Sequence, residues 1–87
     1  MAERSYNERV DDSILVGAHR IAHARGSSLR SAIEGHLRQC LDNGRASDGT
    51  DMPDYWRHRV GRCDALIQEP DDNALMKMAR DALAREA

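Results

Sequence analysis

Ser5-Tyr6-Asn7-Glu8-Arg9-Val10, the stretch SYNERV, is where the fold is decided. Read as extended chain, it sends Ser5, Asn7 and Arg9 to one side and Tyr6, Glu8 and Val10 to the other, because strand side chains alternate. One face is then polar and rich in hydrogen-bonding groups. The other is apolar except for Glu8. We read the stretch as a short strand ending at Val10. Glu8 departs from the pattern, since a buried unpaired carboxylate is costly. The strand therefore needs Glu8 to pair with an arginine or to lie at an edge.

Downstream, Asp11-Asp12-Ser13 reads as a helix start. Short polar side chains accept from orphan N–H groups there, and acids suit the positive end of the helix dipole. Ile14, Leu15, Ala18, Ile21 and Ala22 make an apolar stripe. Gly17 weakens the helix interior, and Gly26 stands where a glycine ends a helix. After Ser27-Ser28, the residues Leu29, Ala32, Ile33, Leu37, Cys40 and Leu41 repeat at three and four, until Asn43-Gly44 is expected to stop the helix. The connection is so short that the two helices must form a tight hairpin.

Residues 42–51 are polar and contain glycine, as a linker does. Pro53 suits the first turn of a helix. Trp56, Val60, Cys63 and Ile67 then mark a third helix. Pro70 interrupts, and Asp71-Asp72 opens a fourth helix carrying Leu75, Met78, Ala79, Ala82 and Leu83. The expected order is strand, helix, helix, linker, helix, helix, a mainly α chain. Its expected divisions are a module over 1–44, a linker over 45–53 and a C-terminal helical arm over 54–87.

Composition bounds the function. A chain of 87 residues buries only about 60–65% of the surface its unfolded form exposes, so a monomer is marginal and a dimer is a usual remedy. The aromatics are Tyr6, Tyr55 and Trp56 alone, so the core must come from aliphatic residues and methionine. Net charge is −2, which does not announce a nucleic-acid binder. Residues 1–45 hold seven Arg against six acids, and residues 46–87 hold six Lys and Arg against nine acids. The basic side chains are twelve Arg and one Lys, and arginine is the better residue for bidentate phosphate and guanine contact.

Cys40 and Cys63 form no C-x-x-C and no disulfide framework, which fits a reducing, cytoplasmic setting. Both read as small buried hydrophobes. No signal-peptide core and no apolar run of roughly 20 residues is present. His19 and His23 have the i,i+4 spacing of a zinc pair. They fall off the apolar stripe, however, and no third ligand is placed to join them. No metal or other cofactor is expected. No nucleophile-base-orienter pattern and no Gly-rich phosphate loop appears, so an enzyme is not expected.

The stretch VDDSILVGAHRIAHARGSSLRSAIEGHLRQCL, Val10 to Leu41, resembles the ribbon-helix-helix family of bacterial and phage DNA-binding proteins, the Arc, MetJ and CopG-like group. An apolar strand end, an acidic helix start and the turn Arg25-Gly26-Ser27-Ser28 carry the likeness. The resemblance implies an intertwined homodimer, or a higher oligomer, whose paired strands enter the major groove of double-stranded operator DNA. Ser5, Asn7 and Arg9 would then contact bases. The N–H groups of Ser27, Ser28 and Leu29 would face phosphate, with Arg4, Arg25 and Arg30 adding charge.

The function expected on that basis is a transcriptional repressor. The kind expected is the antitoxin of a toxin-antitoxin operon, covering a cognate toxin with its acidic C-terminal arm through Tyr55, Trp56, Val60, Leu75 and Met78. One alternative is a stand-alone plasmid or phage regulator. The other is a small helical inhibitor that binds a host protein complex and not DNA.

Overall fold

A computed structural model describes residues 5–46 and 53–86. In it Ser5 caps a helix. Its backbone is extended (φ −65°, ψ 162°), and its Oγ accepts the Glu8 N–H at 3.2 Å. The Glu8 carboxylate accepts the Ser5 N–H in return at 3.3 Å. This reciprocal capping box satisfies two otherwise orphaned donors within four residues. A strand would have needed a partner for its backbone and a counter-charge for Glu8.

The helix α1 accordingly spans Tyr6–Arg25, followed by α2 (Leu29–Ala46), α3 (Asp54–Gln68) and α4 (Asp72–Glu86). The expected ribbon-helix-helix fold is thereby corrected. The described residues form four helices and no strand. Asp11-Asp12-Ser13, expected to open the first helix, lies in its second turn.

Gly26 ends α1 with φ 67°, the left-handed conformation that favours glycine. The N–H groups of Gly26 and Ser27 both reach Ala22 O. The Ser28 hydroxyl caps α2 by accepting the Ser31 N–H at 3.1 Å. This helix runs past Asn43-Gly44, the expected stop, to Ala46. Gly44 is buried, and packing overrides a helix penalty of about 1 kcal/mol for glycine. The Asp71 carboxylate caps α4 by accepting the Ala74 N–H at 2.7 Å.

All four helices feed one core, which runs from Val10, Ile14 and Ile33 to Cys63, Leu66, Leu75 and Ala82. Residues on both sides of the 45–53 segment therefore share one interior, and the C-terminal helices pack on the α1–α2 hairpin. Both α1 and α2 touch all three other helices, whereas α3 and α4 contact each other least. The position of α1 explains two differences from its expected stripe. Val16 is buried because helices flank α1 on several sides, and Ile21 is left 42% exposed. No aromatic side chain is among the buried residues.

Among the described residues no helix is long and apolar enough to cross a membrane.

Candidate functional site

The residues expected to read DNA are dispersed. Ser5 is occupied by the capping box. Asn7 and Arg9 are exposed on α1, where two residues differ by about 200° and do not share a face as they would on a strand. Their placement on a β-ribbon falls with the ribbon. Arg4 lies outside the described residues.

At the α1–α2 turn, Arg25, Ser27 and Ser28 are exposed and Leu29 is buried. The Ser27 N–H is committed to Ala22 O and the Ser28 hydroxyl to the Ser31 N–H. Arg30 turns towards the α3–α4 elbow. Its Nε and Nη2 donate to Asp72 Oδ1 at 3.2 and 3.0 Å, its Nη2 also to Pro70 O at 2.9 Å, and its Nη1 to Ile67 O. The last carbonyls of a helix lack intrahelical partners, and a cation at that end is doubly favourable. Arg30 thus binds this chain's own backbone.

The residues expected to bind a partner also divide. Leu75 is in the core, and Met78 is partly buried against it. Trp56 and Val60 are half-buried, and Tyr55 is 54% exposed. Tyr55 meets the Trp56 ring edge-on, with centroids 4.8 Å apart. Tyr6, placed by the sequence reading on the inner face of a strand, instead stacks on His58 of α3 at 4.9 Å and stays 50% exposed. The aromatic residues therefore sit near the N-terminal ends of α1 and α3. The exposed pair Asp54–Arg57, 3.4 Å apart, borders them. Beneath them, His58 Nε2 is buried with no hydrogen-bond partner among the described residues.

A second constellation was missed by the sequence reading. His36 and Cys40 are four apart on α2 and so share one face. Cys63 faces them from α3. Their three ligand atoms, His36 nitrogen and the two sulfurs, all lie within 4.8 Å of one another. Cys40 Sγ is 3.5 Å from His36 Nε2. Arg59, also on α3, donates from Nε to His36 Nε2 at 3.3 Å and from Nη2 to Ser13 Oγ at 3.1 Å. Arginine has donors only, so His36 Nε2 must be the accepting, unprotonated nitrogen.

Electrostatics agree. Burial, and then the Arg59 charge, hold the imidazole below the ordinary histidine range. Burial raises the Cys40 thiol, and burial together with Cys40 pushes Cys63 up to about 12. Both thiols are thus held in the protonated form at neutral pH and are poor nucleophiles. The i,i+4 spacing of His36 and Cys40 was a readable signal. Cys63 joins them only through helix packing.

No protein-family model matches this chain, no curated protein is significantly similar to it, and no solved structure matches it significantly.

Proposed function

We propose that this protein is a non-enzymatic helical binding module that docks onto a partner protein through the aromatic corner of α1 and α3. The observation that carries this reading is the placement of the aromatics. Each buried aromatic removes about 150–250 Å² from water, a large gain for a small chain. This chain has Tyr6, Tyr55 and Trp56 alone, and the core contains none of them. Tyrosine and tryptophan dominate the energetic centres of protein interfaces, where charged groups form the rim. Asp54 and Arg57 are placed as such a rim.

DNA binding by a ribbon loses its support with the strand. In the turn that would meet phosphate, the Ser27 N–H and the Arg30 guanidinium already have partners within the chain. The reading therefore follows the protein-inhibitor alternative and leaves the repressor and antitoxin roles aside.

The test pairs Tyr6→Ser with Tyr55→Ser. The double variant is expected to keep the helical circular-dichroism spectrum and to lose the partner that the wild type retains from its native cell extract. Selection from random duplex DNA is expected to enrich no sequence. An enriched motif whose affinity falls steeply with salt would overturn the proposal in favour of DNA recognition. If sedimentation shows a wild-type dimer and a monomeric variant, the corner is an interface between copies and the external partner is rejected.

A further inference from the structure

We propose that His36, Cys40 and Cys63 form a three-coordinate site for a soft, closed-shell metal ion, and that Cu(I) is the ion it fits. The donor set states the class. Thiolates select Cu(I) and Zn(II), and a neutral imidazole suits both. An ion about 2.0–2.3 Å from each donor needs those donors roughly 3.5–4 Å apart. His36 Nε2 and Cys40 Sγ stand at 3.5 Å, and all three ligand atoms fall within 4.8 Å. Closure therefore asks for side-chain adjustments and no helix movement.

The site is also built to be dry. Cys40 and Cys63 are fully buried and His36 is half-buried. The donors project from two packed helices, α2 and α3, which hold them in register. Nε2 is the His36 nitrogen on the sulfur side: Cys40 Sγ meets it at 3.5 Å, and Arg59 Nε donates to the same atom at 3.3 Å.

Charge and coordination number choose between the two ions. Two thiolates carry −2, so a Cu(I) complex carries −1, and the Arg59 guanidinium neutralises it. With Zn(II) the complex is neutral and gains no such attraction from Arg59. Zinc sites are almost always four-coordinate. Among the described residues the cluster offers three such ligands, with no fourth histidine, cysteine or carboxylate grouped with them. Arg59 Nε lies 3.3 Å from His36 Nε2, the same atom that Cys40 Sγ meets at 3.5 Å. On binding, its Nε–H leaves the imidazole and donates to thiolate sulfur. Two thiol protons go to solvent, two metal–sulfur bonds and one metal–nitrogen bond form, and no electron is transferred.

The test uses the full chain, reduced and oxygen-free, titrated with Cu(I) against the chromophoric chelator bicinchoninate. One Cu(I) per chain is expected to resist the chelator, and X-ray absorption should show two sulfurs and one nitrogen. Cys40→Ser and Cys63→Ser should each abolish chelator-resistant binding. Should they unfold the chain, His36→Gln at a half-exposed position serves instead. It should lose the nitrogen scatterer and weaken affinity by about tenfold or more, since even an outer partner of a ligand is worth about 10–100-fold. Complete removal of copper by the chelator overturns the site. So does copper binding that is insensitive to His36→Gln, which would mean two adventitious thiols. Retention of Zn(II) in preference to Cu(I) overturns the assignment of the ion.

Discussion

Arg62 of α3 grips both carboxylate oxygens of Asp11 on α1, with Nε to Oδ1 at 2.8 Å and Nη2 to Oδ2 at 2.7 Å. The next residue does the same to a different helix. Asp12 receives Arg85 of α4 at 2.9 and 2.7 Å. Consecutive residues on a helix point about 100° apart, so two neighbouring acids address two helices that barely touch each other. The pair orients α3 and α4 around α1.

Asp11→Ala and Arg62→Ala should each lower stability by about 1–3 kcal/mol, the range for a charge-assisted hydrogen bond discounted for partial exposure. The double variant should lose clearly less than the two singles together. Urea denaturation of the four proteins measures this. Strict additivity would show that the fork contributes nothing as a pair. The Asp12–Arg85 fork has a more open arginine, so loss of its contribution should be seen at low salt and fade as salt is raised.

Arg30→Ala should loosen the α3–α4 elbow, because Ile67 O, Pro70 O and Asp72 lose one shared donor. A loss of about 1–2 kcal/mol is expected, with amide exchange accelerating around residues 69–75. Arg30→Lys should restore little of it, since one ammonium cannot span two carbonyls and a carboxylate as the planar guanidinium does. Full rescue by lysine would reduce the role of Arg30 to plain charge.

Ser5→Ala removes half of the capping box and should cost about 0.5–2 kcal/mol, whereas Ser5→Asp should be nearly neutral. Glu8→Gln preserves the box geometry and should be better tolerated than Glu8→Ala. NMR secondary shifts over residues 6–10 report the outcome directly. Strand-like shifts there would refute the α1 start.

Glycines at two positions should respond with opposite signs. Gly26→Ala must hold an alanine at φ 67° and should destabilise by about 1–2 kcal/mol. At Gly17 an added Cβ meets nothing within 4 Å, so Gly17→Ala should stabilise by about 0.4–1 kcal/mol. Thermal melts of the two variants should move apart from the wild type.

The SYNERV stretch shows where sequence reading went astray. Six residues are too few to separate two periods. Tyr6 and Val10 are compatible with alternation and equally with the i,i+4 spacing of a helix. The decisive signal was present as Ser5-x-x-Glu8, a capping box, and the same Glu8 looked anomalous only because the frame was a strand. The acids at Asp11-Asp12 compounded the error by resembling a helix start, while their tertiary use was as arginine partners on two other helices.

The sequence by itself determined what rests on neighbours within four residues. The rest of α1, together with α2, α3 and α4, was legible from apolar spacing, and the Gly26 ending was legible from backbone sterics. Only the tertiary structure decided which distant side chains meet: Arg62 with Asp11, Arg30 with the end of α3, Tyr6 with His58, and Cys63 with His36 and Cys40. Caps and helical periodicity are set by bonds a few residues long. Partner choice across 23 to 73 residues of chain depends on how the helices dock, and aliphatic faces without aromatics leave that choice to a few arginines and the shape of the core.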